Sequence, residues 1–82
     1  MTPEELLEQA VRHMVDLPDE VRIESHVTDH TATFDINVAD SDVGKVLGTS
    51  GAHAKALRVV FGAIYGKYGK RLHLQVVDPR RR

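Results

Sequence analysis

Two glycines, Gly48 and Gly51, lie three residues apart and enclose the hydroxyl side chains of Thr49 and Ser50. Because glycine has no Cβ atom, a bulky ligand can press against the backbone there. A helix that follows such a loop also offers unpaired N–H groups and the positive end of its dipole. The arrangement suits a phosphate group. Two glycines at this spacing also occur in many ordinary turns, so the motif by itself is a weak signal of function.

No set of residues is spaced as enzymatic chemistry would need. The sequence has no cysteine, which rules out a disulfide framework, a thiolate metal site and a thiol nucleophile. Ser50 and His53 are close in sequence, but no carboxylate is placed to orient the histidine as in a hydrolase. Gly51 is followed by Ala52, whereas a nucleotide-hydrolysing phosphate loop continues with lysine. We therefore expect no enzyme, no metal site and no cofactor.

The formal net charge of −1 conceals a strong division along the chain. Residues 1–43 carry a charge of −9 and residues 44–82 a charge of +8, and the glycine loop lies in the basic half. Such an asymmetry indicates an anionic partner on one face, most often nucleic acid. Opposite charges could instead interleave once the chain is folded, and the sequence leaves both interpretations open.

The length and composition indicate one small globular domain. A chain of 82 residues has room for a single core of modest stability, which an oligomer would increase. No apolar run approaches the roughly 18 residues needed to span a membrane, and the N-terminus is acidic where a signal peptide would be basic. We therefore expect a cytoplasmic protein without membrane contact.

Local patterns predict the elements before the loop. Thr2-Pro3-Glu4-Glu5 has the residues of a capping box and predicts a helix over about residues 3–16, which Leu17-Pro18 would end. Period-two alternation predicts strands over residues 21–27 and 32–38, close enough to pair as an antiparallel hairpin.

A short helix and a long helix should flank the glycine loop. Asp40-Ser41-Asp42 supplies N-cap residues for a helix of barely two turns that ends at Leu47. After the loop, apolar residues at helical spacing predict a core stripe formed by Ala54, Leu57, Phe61, Ile64, Tyr65 and Tyr68. We interpret both tyrosines as packing residues rather than as platforms for stacked bases. Gly66 and Gly69 bracket the end of this helix, where Lys67 and Lys70 suit its negative dipole end.

The last element completes an α+β fold. Leu72, Leu74 and Val76 alternate with polar residues and predict a third strand, which can join the sheet only through a crossover. We therefore predict three helices packed on one face of a three-stranded mixed sheet, with the domain over residues 1–79 and a basic tail over residues 80–82. The other sheet face should meet solvent through Arg22, Glu24, Thr33, Asp35, His73 and Gln75.

The segment Val46-Leu47-Gly48-Thr49-Ser50-Gly51 resembles the Ile-Gly-x-x-Gly signature of K-homology (KH) RNA-binding domains. The element order, α-β-β-α-α-β, is that of the type II, bacterial KH fold. More narrowly, the run from Asp42 to Gly48, then Gly51, then the run from Ala54 to Arg58 is similar to the single-domain bacterial KhpA family. The resemblance extends from the first predicted helix to Asp78, which is almost the whole chain.

The resemblance implies that the chain binds single-stranded RNA. In KH domains the Gly-x-x-Gly loop clamps the backbone of about four nucleotides. Carried over residue by residue, the clamp consists of Gly48, Thr49, Ser50 and Gly51, and its charged or apolar surroundings are Lys45, Val46, Lys55 and Arg58. The resemblance further implies an RNA chaperone or post-transcriptional regulator, which acts as a homodimer or as a heterodimer with a KhpB (Jag)-type RNA-binding protein.

Two departures from the family pattern affect these expectations. Many members have a basic residue in the middle of the loop, whereas Thr49 and Ser50 are uncharged, so affinity should depend on Lys45, Lys55 and Arg58. His53 stands where an apolar or basic residue is usual, and either contacts a base or phosphate or faces solvent. The alternative function is a protein-interaction module of KH fold with weak or no RNA binding.

Overall fold

The computed structural model of the protein describes residues 1–78, so Pro79 and the predicted basic tail lie outside the described residues. The helices are α1 (Pro3–Arg12), α2 (Val43–Leu47) and α3 (Ala52–Gly66), and the strands are β1 (Arg22–Val27), β2 (Thr31–Asn37) and β3 (Arg71–Val76). Single 3₁₀ turns at Pro18–Glu20, Asp40–Asp42 and Thr49–Gly51 lie between α1 and β1, β2 and α2, and α2 and α3. The predicted α+β class and element order are confirmed.

The sheet has the strand order β1-β2-β3 and is mixed, as predicted. β1 and β2 are antiparallel with Ile23 opposite Ile36, and β2 and β3 are parallel with Phe34 opposite Leu74. The helix-facing side chains of central strand β2 are fully buried, whereas those of β1 are covered only near its start. Val27, which the alternation places on the buried face, is 42% exposed because it lies at the far end of this edge strand.

Helix α1 begins as its sequence predicts and ends earlier. The Oγ1 atom of Thr2 accepts a hydrogen bond from the Glu5 N–H, and a Glu5 carboxylate oxygen accepts one from the Thr2 N–H, each at 3.1 Å. These bonds form the capping box. The helix ends at Arg12 rather than near residue 16. The reason is tertiary, because the N–H groups of Asp16 and Leu17 donate to a carboxylate elsewhere in the chain.

The core joins α3 to the sheet. The rings of Tyr65 and Phe34 pack with their centroids 5.5 Å apart, and Tyr65 is 4% exposed, which confirms its predicted packing role. Burial, with a further contribution from the charge of Glu4, raises the pKa of the Tyr65 hydroxyl. The same prediction for Tyr68 is wrong. This residue is 61% exposed because α3 ends at Gly66 and the chain then turns through Gly69, which has a φ of 73°.

Candidate nucleic-acid interface

The five-residue helix α2 leads directly into the glycine loop. A helix this short has little stability of its own, so tertiary contacts must hold it. Val43 and Val46 are fully buried and fix its inner face against the rest of the domain. Val46 consequently has no surface to offer a ligand, and we leave it out of the proposed contact set.

Asp42 holds the start of α2, but not as the predicted N-cap. Its side chain makes no capping hydrogen bond. Instead, the fully buried carboxylate accepts the backbone N–H of Asp16 at 3.2 Å and that of Leu17 at 3.0 Å. Burial alone would raise the pKa of the Asp42 carboxyl, but the two N–H groups and the nearby Lys45 ammonium together lower it below its usual value. Asp42 therefore ties α2 to the segment that follows α1.

Lys45 belongs to the same cluster of charges. Its ammonium lies 3.3 Å from Asp16 Oδ2 and 3.6 Å from Asp42 Oδ1. The hydrogen bond and charge of Asp16, followed by the charge of Asp42, raise the pKa of Lys45. At this point the acidic and basic halves of the sequence do interleave. Lys45, predicted as a phosphate contact, is thus held towards acidic neighbours.

The loop turns through backbone conformations that only small residues adopt easily. Gly48 has φ 76° and ψ 172°, Gly51 has φ 76° and ψ 16°, and Ser50 between them also has a positive φ of 55°. The Gly51 N–H donates to the Gly48 carbonyl at 3.1 Å and closes the turn. The loop is therefore a preformed, tight connection rather than a slack one.

The two glycines of the loop have different surroundings. A Cβ atom at Gly48 would lie 2.6 Å from Cγ and 2.8 Å from the backbone nitrogen of His53, so close approach requires glycine there. At Gly51, within residues 1–78 and apart from its two chain neighbours, nothing lies within 4 Å of the corresponding position. Gly48 thus serves the packing of the loop, whereas Gly51 leaves space beside the start of α3.

His53 has a partner that neither of its predicted roles included. Its ring is exposed, and its Nδ1 atom lies 2.8 Å from the Lys45 carbonyl oxygen. Because a carbonyl oxygen can only accept, the proton of this bond is on Nδ1. His53 therefore closes the end of α2 with a hydrogen bond, and its Nε2 atom is the ring nitrogen left for a ligand.

The start of α3 is open to solvent. No side chain caps this helix, and Thr49, Ser50 and His53 are exposed. Lys55 is also exposed and, within residues 1–78, makes no ion pair within 4 Å. Together the uncapped helix end, the hydroxyl groups and Lys55 form a surface that can donate hydrogen bonds to an anion.

Arg58 lies apart from the loop. Its Nε donates to the Leu74 carbonyl of β3 at 2.9 Å, about two turns of α3 beyond Gly51. The structure therefore groups the four loop residues with His53 and Lys55, holds Lys45 at the side, and places Arg58 at the sheet edge. Sequence reasoning missed the anchoring roles of Asp42 and Asp16, which only their distant partners would reveal.

Two other kinds of site are not found in the part of the chain that the structure describes. Among residues 1–78, no three His, Cys, Asp or Glu side chains are grouped so that they could hold a metal ion. Over the same residues, no helix is both long enough and apolar enough to cross a membrane.

Comparison with known proteins identifies what the chain is similar to. Residues 4–76 match the family described as KhpA/KhpB, KH domain. The RNA-binding protein KhpA of Streptomyces coelicolor is 43% identical over 75 residues, which cover 92% of this chain and 94% of that protein.

Two further relatives have the same printed name. The RNA-binding protein KhpA of Halalkalibacterium halodurans is 38% identical over 73 residues, covering 89% of this chain and 96% of the relative. That of Listeria monocytogenes is 35% identical over 75 residues, covering 92% and 99%. The similarity thus includes α1, the sheet and the glycine loop.

Proposed function

We propose that this chain, which belongs to the KhpA/KhpB family of KH domains, binds single-stranded RNA and holds its phosphate backbone at the loop from Gly48 to Gly51. The observation that carries the proposal is the open surface at the start of α3, where Gly51 leaves free space and no side chain caps the helix. Backbone N–H groups at such a helix start can reach a phosphate oxygen. The relatives that cover these residues are named for RNA binding.

The contacts divide into uncharged and charged groups. Thr49 and Ser50 present hydroxyl groups that hydrogen-bond phosphate without neutralising it, so they position the strand more than they hold it. Lys55 supplies a cation that, among residues 1–78, forms no ion pair with an acidic side chain. Lys45 contributes less than the sequence suggests, because Asp16 and Asp42 already compensate its charge. This arrangement supports binding with few neutralised phosphates.

A pair of glycine substitutions tests the clamp. Gly51→Asp places a negative charge at the loop, and Gly69→Asp is its matched control beyond the far end of α3. The two glycines have φ values of 76° and 73°, and a Cβ atom at either would meet nothing within 4 Å in the described part of the chain, its chain neighbours aside. Each aspartate therefore strains the backbone alike, by about 1–2 kcal/mol. Gly48 is unsuitable for this test, because any side chain there would overlap His53.

The measurement is fluorescence anisotropy with a labelled single-stranded RNA. We expect Gly51→Asp to weaken binding by at least about tenfold and Gly69→Asp by less than about twofold. Raising the salt concentration should weaken binding of the parent with a logarithmic slope of about 0.7 for each phosphate neutralised. Equal effects of the two variants would contradict the clamp. No binding by the folded parent would favour the protein-interaction module instead.

A second proposal concerns assembly, and an exposed apolar stripe on α3 favours it. Val59 is 67% and Val60 54% exposed, and exposed alanines, Ala56 and Ala63, lie one turn to either side. Two α3 helices related by a two-fold axis at the valines would place each valine pair against the small residues of the other copy. We propose that this stripe forms a homodimer.

Sedimentation at micromolar concentration tests the dimer. We expect the parent to sediment as a dimer, Val59→Glu to sediment as a monomer, and Val27→Glu, at an exposed valine on β1, to leave the dimer intact. A monomeric parent would refute the proposal.

Family membership supports three further parts of the proposed function. These are the expected KhpB-type partner, the cytoplasmic location, and a role as an RNA chaperone or post-transcriptional regulator.

A further inference from the structure

A cavity of about 450 Å³ opens at the free edge of β3, on the side of the sheet away from the helices. We call it the edge cleft and define it by Thr33, Asp35, Arg58, His73 and Gln75. Four of these residues project from β2 and β3 onto the open sheet face, and the fifth comes from α3 on the opposite side. The cleft is therefore built from both sides of the sheet around one edge.

Arg58 reaches the cleft by passing around the edge strand. The N–H groups of Arg71 and Val77 donate to β2 and its flanking turn. Successive residues of a strand direct their backbone groups to opposite sides, so Leu74, three residues from each, directs its carbonyl towards the free edge of the sheet. The Nε of Arg58 donates to that carbonyl at 2.9 Å. This bond fixes the guanidinium plane. Within the described residues its two Nη groups make no hydrogen bond, so they present paired donors to the cleft.

Asp35 and Gln75 supply acceptors in the same cavity. They are neighbours across the parallel pair of strands, and Gln75 Nε2 donates to Asp35 Oδ1 at 2.8 Å. The bond orients the carboxylate and leaves its other oxygen, together with the Gln75 carbonyl oxygen, as acceptors. The cleft thus presents paired donors from Arg58 and paired acceptors from Asp35 and Gln75.

This combination selects the chemical class of the ligand. A phosphate would meet the negative charge of Asp35 as well as the positive charge of Arg58. A neutral ring with two adjacent acceptors on one edge and two adjacent N–H donors on the next satisfies both groups. Guanine has this pattern, with O6 and N7 as acceptors for arginine and N1–H and the 2-amino group as donors for a carboxylate. The other three RNA bases lack one or both pairs.

We propose that the edge cleft binds a guanine base of the single-stranded RNA whose backbone is held at the glycine loop. The proposal rests on the proposed function and adds a base preference to it. Arg58 lies on α3, about two turns and roughly 10 Å beyond Gly51, which directly precedes that helix. A nucleotide next to the clamped phosphates can therefore place its base at the sheet edge.

The test compares labelled RNAs of about eight nucleotides by fluorescence anisotropy: all-adenine RNA and the same RNA with one central guanine, inosine or 7-deazaguanine. We expect guanine to improve binding on the order of tenfold over adenine. Inosine, which lacks the 2-amino group, and 7-deazaguanine, which lacks N7, should each lose most of that gain.

Protein variants then test whether the residues of the edge cleft cause the preference for guanine. Asp35→Asn removes the carboxylate with little change in shape, and we expect it to reduce the ratio of guanine to adenine affinity to less than about twofold. Asp29→Asn, in the exposed turn between β1 and β2, is the matched control and should keep the full ratio. Arg58→Lys keeps the charge but loses the paired donors, so it should also reduce the ratio. Circular dichroism confirms that each variant is folded.

The outcomes separate this inference from the function on which it rests. If the parent binds none of the RNAs, both are overturned. If it binds all of them equally tightly, the base preference is overturned while RNA binding stands. If guanine is preferred but Asp35→Asn retains the preference, guanine is read elsewhere and the edge cleft is refuted.

Discussion

At the start of α2 the contacts are ionic and centre on a buried carboxylate, and at its end they are a close steric fit and a hydrogen bond to a backbone carbonyl. The Asp42 carboxylate accepts two N–H groups and lies 3.6 Å from the Lys45 ammonium. At the other end, Gly48 permits His53 to approach the backbone closely and to hydrogen-bond the Lys45 carbonyl at 2.8 Å. One short helix is thus held at its two ends by different physical means.

Because the two ends are held differently, different solution conditions should disturb each of them. Ionic contacts weaken when a carboxyl is protonated, and exposed ion pairs also weaken when salt is added. A close steric fit and a hydrogen bond to a backbone carbonyl do not depend on an ion pair, so they respond little to added salt. The end of α2 that leads into the loop is therefore the end less sensitive to salt. Substitutions at each end test this difference.

The largest effect is expected at Gly48. Gly48→Ala places a Cβ atom 2.6 Å from His53 Cγ and forces a non-glycine residue to φ 76° and ψ 172°. We expect a loss of about 3 kcal/mol in the free energy of unfolding, since that conformation is almost restricted to glycine. Urea denaturation at low and high salt should give the same loss.

Gly51→Ala is the control for that prediction. Its φ is also 76°, but its surroundings are open, so we expect a loss of only about 1 kcal/mol. If the two alanine variants were equally destabilised, the close approach of His53 would not be what requires glycine at position 48.

The next effect is expected at Asp42 and should depend on pH. The folded-state pKa of its carboxyl is below the unfolded value of about 3.9, so its stabilisation is complete above that pH and is lost as the pH falls through the lowered value. Asp42→Asn should therefore destabilise the domain at about pH 7. The difference in free energy of unfolding between variant and parent should be smaller at about pH 3. Urea denaturation at both pH values measures this difference.

Asp40→Asn is the matched control for that experiment, because Asp40 is exposed in the same turn. It should change stability little at either pH. A difference for Asp42→Asn that stayed constant between the two pH values would show that the buried carboxylate does not act through its charge.

A smaller effect is expected at His53. His53→Ala removes the hydrogen bond to the Lys45 carbonyl from an exposed position, and we expect a loss of about 0.5–1 kcal/mol in the free energy of unfolding. His53→Asn, which keeps a side-chain N–H donor, should recover part of it. Urea denaturation at two salt concentrations measures both variants, and a loss that disappeared at high salt would show that the contact is ionic rather than a hydrogen bond to the backbone.

The sequence predicted the features of this molecule that depend on neighbouring residues. The Thr2–Glu5 capping box, the three alternating strands and the placement of a helix on either side of Gly48 and Gly51 all follow from local patterns. The anchoring role of Asp42 does not, because its partners Asp16 and Leu17 are 26 and 25 residues away.

That one missed contact explains other differences. It engages the N–H groups that would have extended α1, and it helps to hold Lys45 away from a purely phosphate-binding role. The contact between Gly48 and His53 could not be predicted from the sequence either, because it depends on the φ and ψ angles of the loop rather than on residue type. Long-range contacts and loop dihedrals therefore decided what the local patterns left open.

The smallest effect is expected at Asp16. It is an effect on RNA affinity, and it relates the contacts of α2 to binding. The Asp16 carboxylate is 76% exposed and lies 3.3 Å from the Lys45 ammonium, so Asp16→Asn releases part of that ammonium for phosphate. We expect RNA affinity to rise by less than about fivefold, because exposed ion pairs are weak, and the salt slope to increase by up to about 0.7.

Asp19→Asn removes the same charge from an exposed position nearby without touching Lys45, and anisotropy titrations at several salt concentrations compare the two. An equal gain for both variants would show only a change in net charge. A larger gain with a steeper salt slope for Asp16→Asn would show that the ionic end of α2 restrains a cation of the RNA site. A loss of affinity would instead mean that Asp16 holds Lys45 in the position that RNA requires, so that the ionic end of α2 assists binding rather than restraining it.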